Sequence, residues 1–124
     1  MLAKVVEGRK IGRTLGFPTA NLELLNPNEM PNDGVYAVDV SLMALNLQKR
    51  SPSETFRGVL NVGNRPTFGR SERIAEVHIL DFAREIYGEI LEITIRNFIR
   101  NERRFDKPEA LKKQIEQDRA EARK

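Results

Sequence analysis

Residues 34–42 read GVYAVDVSL, and their alternation decides what kind of protein this is. Tyr36, Val38, Val40 and Leu42 fall on one face of an extended chain, and Ala37, Asp39 and Ser41 on the other. A period of two is the mark of a half-buried strand, whereas a helix repeats every 3.6 residues. Asp33-Gly34 supplies the turn that leads into it. The same pattern recurs on both sides. FRGVLNVG (56–63) reads as a second strand ending at Gly63. RIAEVHIL (73–80) is a third, with Ala75, Val77 and Ile79 on one side and Glu76 and His78 on the other. EILEITIRNF (89–98) is a fourth, with Leu91, Ile93 and Ile95 facing inward, and LAKVVEG (2–8) is a fifth. Tyr87-Gly88 marks a hairpin tip between the third and fourth.

The stretch from Met43 to Thr55 is polar and irregular, as in a long hairpin loop. Near the end the period changes. Asp106 followed by Glu109 fits a capping box, and Pro108 sits in the first turn, where its missing N–H costs little. Leu111, Ile115, Asp118 and Ala122 then form a narrow stripe along one helix, over about residues 107–123. Several short strands with one terminal helix predict a small closed barrel, because closure removes exposed strand edges. The fold expected is mainly β: one domain over 1–124, with the barrel over about 1–100.

Composition narrows the chemistry. With no cysteine, disulfides and thiolate metal sites are excluded, and a cytoplasmic setting is expected. The single histidine, His78, rules out a multi-histidine metal centre. No apolar run approaches membrane-spanning length, so no membrane partner is expected. The net charge of +3 suits an anionic ligand and equally an ordinary surface of mixed charges.

Four stretches carry candidate sites. Gly8, Gly12 and Gly16, with Arg9, Lys10 and Arg13 among them, match a loop that wraps N–H groups and cations around phosphates, and also match a turn-rich connection. They form neither a Walker A loop nor a dinucleotide fingerprint. Phe17-Pro18 favours extended backbone, so Thr19 and Asn21 project to one side. Both carry hard oxygen donors of the kind Mg²⁺ accepts, and both are also common turn residues. Glu76 stands in a strand where a general base or a plain solvent-facing carboxylate would serve. RNERRFD (100–106) packs three arginines around Phe105, either to bind phosphate or a flat ring or as a solvated connection whose Phe105 plugs the core beneath the helix.

Taken in order, GRKIGRTLGFPTANL, GVYAV, GVLNVGNRPTF, AEVHILDF, IYGEIL and ERRFD resemble the riboflavin kinase family, in particular the kinase module of bacterial bifunctional riboflavin kinase/FAD synthetases. The resemblance covers essentially the whole chain. It implies a six-stranded antiparallel Greek-key barrel with a C-terminal helix, and transfer of the γ-phosphoryl of ATP to the ribityl primary hydroxyl of riboflavin, giving FMN and ADP. Carried over by position, it implies Thr19 and Asn21 as Mg²⁺ ligands and Glu76 as the catalytic base. It further implies Gly8, Arg13, Gly16, Thr19, Ile79 and Asp81 around the nucleotide. Arg100, Arg103 and Phe105 would cover the flavin. Lys107 stands where the family often has serine. The chain is then either a stand-alone kinase or a piece of a longer protein that also holds an FMN adenylyltransferase domain.

Two readings from other classes compete. A small basic barrel can bind single-stranded nucleic acid through aromatic and cationic side chains. Only six Phe and two Tyr are present, however, and the exposed candidates do not form a row on adjacent strands, so no nucleic-acid partner is expected. A flavin-binding module without catalysis is the other, and the intact Thr19, Asn21 and Glu76 set argues against it.

Overall fold

The computed structural model describes residues 1–6, 18–43, 55–67, 69–82 and 85–124. Six strands are present: β1 (Leu2–Val6), β2 (Ala20–Leu24), β3 (Gly34–Leu42), β4 (Phe56–Thr67), β5 (Arg70–Ile79) and β6 (Ile90–Arg100). One short 3-10 turn (Pro27–Glu29) follows β2, and one helix, α1 (Pro108–Arg123), ends the chain. The strands close into a barrel in the order β1-β2-β5-β4-β3-β6, every pair antiparallel. β3, β4 and β5 are consecutive neighbours and β6 returns to lie beside β3, which is the Greek-key arrangement. The expected fold class is therefore the observed one.

Alternation fills the barrel. Val38, Val40, Leu60, Val77, Leu91 and Ile93 are almost wholly excluded from solvent and form one apolar cluster inside it. Tyr87-Gly88 forms a turn but not the expected hairpin tip: β5 and β6 are not neighbours in the barrel, and Gly88 and Glu89 bond the backbone of Val5 in β1 instead. Gly88 takes a φ of +83° there, which a side chain would resist.

The structure departs from the sequence expectations at five further places. β4 runs past Gly63 to Thr67, because it keeps pairing with β5 as far as Arg70. β2 is a strand the alternation did not reveal; it is only five residues long and has two strand neighbours to hold it. Ala37 points away from the barrel interior yet is fully buried, since α1 packs over it through Ala122, with Leu80 alongside. Ile95 pairs with Val38 but is 40% exposed. The β3–β6 register skips Arg96 and Ile99, and such bulges bend a strand away from its regular course. Finally, Lys107, not Asp106, is the N-cap of α1, and its side chain makes no capping bond. Pro108 does sit in the first turn, and residues 44–54, most of the expected hairpin loop, lie outside the described residues.

Polar clasps hold α1 to the wall. Arg100 donates to both carboxylate oxygens of Asp118, Nε to Oδ1 at 2.9 Å and Nη2 to Oδ2 at 2.8 Å, and Gln114 adds a third bond at 3.1 Å. Arg123 grips Asp81 in the same two-pronged way at 2.8 and 3.1 Å. Arg96 spans the gap between the Asp39 carboxylate, 3.1 Å away, and the carbonyl of Ala122. The Arg100–Asp118 pair is the one shielded from water, with Asp118 only 4% exposed. Removing one member of a buried pair strands the other charge and costs about 3–5 kcal/mol, whereas replacing both by apolar groups is often neutral. Arg100→Met is therefore expected to lose about that much stability in urea unfolding, and Arg100→Met/Asp118→Leu to regain most of it. Equal midpoints for wild type and the single variant would show that the pair does not hold the helix.

Candidate active site

Glu76 stands between Ala75 and Val77, which both point into the barrel, so its carboxylate projects from the outer wall. Register then decides its neighbours. On one side β2 sets Asn21 directly opposite Glu76, and on the other β4 sets Asn61 opposite it. Directly opposed residues share a face, with Cβ atoms about 4.5–5.5 Å apart. The wall therefore carries a row of one carboxylate between two amides. Thr19, two residues before Asn21, reaches the same row: its Oγ1 lies 3.4 Å from Glu76 Oε2, a long hydrogen bond. Three of the sequence-derived site residues, Thr19, Asn21 and Glu76, are thus brought together.

His78 fixes the approach to this row. Its Nδ1 is 2.8 Å from the carbonyl oxygen of Pro18; a carbonyl can only accept, so the ring donates. That bond ties the Pro18-Thr19 segment to β5. Burial holds the imidazole below its ordinary pKa; the bond to Pro18 works the other way, and the nearby Arg119 and Arg123 guanidiniums add to the lowering. The ring is therefore a neutral structural donor.

The segment after β6 folds back over the same wall. A Cβ placed on Gly63 would clash with the Glu102 carboxylate, so the missing side chain is what admits Glu102 there. Gly63 is two residues along β4 from Asn61 and shares its face, which puts Glu102 one step along the strand from the row, diagonal to Glu76. Further on, Arg103 and Arg100 both lie against the Phe105 ring, at 5.1 and 5.9 Å from its centroid. Arg100, Arg103 and Phe105 thus form one cluster at the foot of α1.

Other expected site residues are placed differently. Ile79 belongs to the apolar cluster inside the barrel, with its side chain away from Glu76. Asp81 adopts a φ of +56° and spends its carboxylate on Arg123, whose charge holds it below the usual carboxylate range. Gly8, Arg13 and Gly16 lie outside the described residues. Among the described residues no group of three or more His, Cys, Asp or Glu could hold a metal ion. Reasoning from sequence missed Asn61, Glu102 and the anchoring part played by His78. The signal for Asn61 was present: it is a polar residue in the apolar run GVLNVG, between Gly58 and Gly63.

The family model described as Flavokinase: Riboflavin kinase matches residues 1–124. The bifunctional riboflavin kinase/FMN adenylyltransferase of Haemophilus influenzae is 42% identical over 95% of this chain, which spans 35% of that relative's length. Among solved structures, a Streptococcus pneumoniae protein described as a macrolide-efflux protein superposes with a TM-score of 0.84 at 38% identity, over 98% of this chain and 37% of that one. The riboflavin kinase of Trypanosoma brucei superposes with a TM-score of 0.65 at 25% identity, over 98% of this chain and 75% of that one.

The His78 anchor has a pH signature. In the unfolded chain the ring titrates near its ordinary value of 6.5, and in the fold it titrates lower. As pH falls through that value the unfolded state takes up a proton that the folded state resists, so stability is lost on the acid side. Wild-type melting temperature is expected to drop more steeply than that of His78→Gln between about pH 7 and about pH 5. Parallel profiles would assign the acid sensitivity elsewhere.

Proposed function

Since the chain belongs to the riboflavin kinase family, we propose that it transfers the γ-phosphoryl group of Mg-ATP to the primary hydroxyl of the ribityl chain of riboflavin, giving FMN and ADP. The observation that carries this reading is the row on the outer wall, Asn21–Glu76–Asn61, with Thr19 Oγ1 3.4 Å from the carboxylate. Such a row supplies one acid and several neutral oxygen donors on the outer face of the sheet. Phosphoryl transfer needs little covalent help from a protein; it needs alignment and charge neutralisation.

In this reading Glu76 accepts a hydrogen bond from the ribityl hydroxyl and aligns its oxygen with the γ-phosphorus. As the new O–P bond forms and the bond to the β-phosphate oxygen breaks, Glu76 takes the proton and ADP leaves with the electron pair. An ordinary carboxylate, with a pKa of about 4.3, is too weak to ionise a free alcohol beforehand, so proton transfer follows bond formation. Thr19 Oγ1 and Asn21 Oδ1 would hold the Mg²⁺ that arrives with ATP. Two neutral oxygens fit that ion when phosphates and water fill its remaining positions. The cation neutralises charge on the β- and γ-phosphates. Gly8, Arg13 and Gly16 would cover the phosphates. Ile79 and Asp81 would border the nucleotide, Ile79 through its main chain, because its side chain is committed to the core. Arg100, bound to Asp118, would serve the flavin indirectly, by backing the Phe105 ring while Arg103 stacks on it.

Helices long and apolar enough to cross a membrane are absent among the described residues. A cytoplasmic location, where ATP is supplied, belongs to the same proposal. The name of the H. influenzae relative joins the kinase to an FMN adenylyltransferase. An adjoining domain of that kind, taking up the FMN made here, is the corresponding partner in a longer protein.

Incubation with riboflavin, ATP and Mg²⁺ is expected to yield FMN by chromatography; no FMN from the folded protein would overturn the assignment. Glu76→Gln should keep the fold and ATP binding while losing on the order of 10² or more in kcat. Wild-type turnover in that variant would remove Glu76 from the mechanism. Calorimetry should find Mg²⁺ binding weak without nucleotide and strong with it. Micromolar affinity in the absence of nucleotide would contradict a site made of two neutral oxygens.

A further inference from the structure

Asn61 has a side-chain oxygen that is buried and accepts no hydrogen bond among the described residues. A buried acceptor without a donor is costly, so proteins rarely leave one idle outside a working site. Its surroundings offer no remedy. Directly opposite on β3 is Val35, which is apolar and fully buried. Directly opposite on β5 is Glu76, whose ionised carboxylate can only accept. Two residues along the same face is Gly63, with no side chain, where the Glu102 carboxylate lies. These neighbours are apolar or acceptors. The residue as a whole is only half-buried, so part of it is open to solvent on the outer wall. The torsion that turns an asparagine amide is soft, and its oxygen and nitrogen are nearly the same size, so the oxygen can be turned toward that side at little steric cost.

The geometry points to Asn61 as a substrate-positioning residue that reads the polyol chain of the acceptor: we propose that its Oδ1 accepts a hydrogen bond from a secondary hydroxyl next to the one that Glu76 addresses. This rests on the kinase reading above and deepens it. A polyol is the class of ligand that matches the row. It brings a donor on each successive carbon, so one hydroxyl can face Glu76 while its neighbour faces Asn61, one strand over. A bond to each oxygen fixes the chain at two points. That leaves the reacting oxygen less freedom to swing off line, and orientation of this kind is where rate is gained in phosphoryl transfer. Asn61 touches no phosphate in this arrangement, so binding of the nucleotide is independent of it.

The test compares substrates as well as variants. Riboflavin and analogues that each lack one secondary ribityl hydroxyl are assayed with wild type, Asn61→Leu and Asn61→Ser. Leucine keeps the volume and removes the acceptor. Serine guards against a leucine variant that fails to fold, which circular dichroism and thermal melting would report. Wild type is expected to prefer riboflavin over one deoxy analogue by about 10-fold or more in kcat/KM, a site built to bond a hydroxyl being hard on the analogue without it. Asn61→Leu should lose most of that preference by dropping on riboflavin alone, with KM for ATP unchanged. Variants that keep the wild-type preference for every analogue would overturn the proposal, and would assign Asn61 a structural role or a bound water. Absence of FMN formation by wild type would instead fail the kinase reading, so the two failures are told apart.

Discussion

The pairing of β2 with β5 is the constraint on which everything else rests. It spans only three register pairs, Ala20 with Val77, Asn21 with Glu76 and Leu22 with Ala75. It also joins segments more than fifty positions apart, so its closure carries a loop-entropy cost that local contacts must offset. The outer and inner faces share that task. Leu22 and Ala75 bury their side chains inside the barrel, while His78 bonds Pro18 from the outer side and delivers the strand in register. A slip of one residue would turn Asn21 inward and Leu22 outward, exposing an apolar side chain and dismantling the row at once. Closing the barrel and aligning the site are therefore a single event, and neither can drift without the other.

The outer wall is divided between two uses. Over Ala37, Val59 and Leu80 it is apolar and receives α1, and the small side chains of Ala37 and Ala122 let helix and sheet come close. Over Asn21, Glu76, Asn61 and Gly63 it is polar or bare and is left for chemistry. Arg100–Asp118 and Arg123–Asp81 clamp the C-terminal half of the helix, so the border there is fixed by directional bonds and not by apolar contact alone. The burial that lowers the pKa of His78 arises at this border, where Arg119 and Arg123 of α1 lie near it.

Much of this was legible in the chain. β3, β5 and the buried half of β6 declared themselves through clean alternation, because each has one face in the core. Asp118 fell in the helical stripe although it is charged, and its burial follows from the Arg100 partner that the pattern does not display. What stayed hidden was hidden for physical reasons. Five residues in β2 give alternation too few turns to register. Ala37 looks solvent-facing until a helix 70 residues later covers it, which is a tertiary fact. Ile95 reads as core because a bulge at Arg96 leaves no mark in the sequence. For the candidate site, the grouping of Thr19, Asn21 and Glu76 was expected from the family resemblance, whereas Asn61 and Glu102 join it through register and a close approach at Gly63, neither of which a linear string records.

The row carries a single negative charge, and its cross-strand neighbours give a physical reason for that. Glu76 has an amide directly opposite on each side. A carboxylate in either place would set like charges face to face across strands, a destabilising arrangement. In the proposed reaction it would also add repulsion where the phosphates of ATP would approach. Neutral oxygens at Thr19, Asn21 and Asn61 avoid both costs and still offer acceptors to a hydroxyl or a cation. On that proposal the nucleotide would bring the metal's counter-charge, and the cation site would be completed only with the phosphoryl donor bound. The second carboxylate, Glu102, comes from the returning segment and sits over Gly63, a step along β4 from Asn61 and diagonal to Glu76, not directly opposite it.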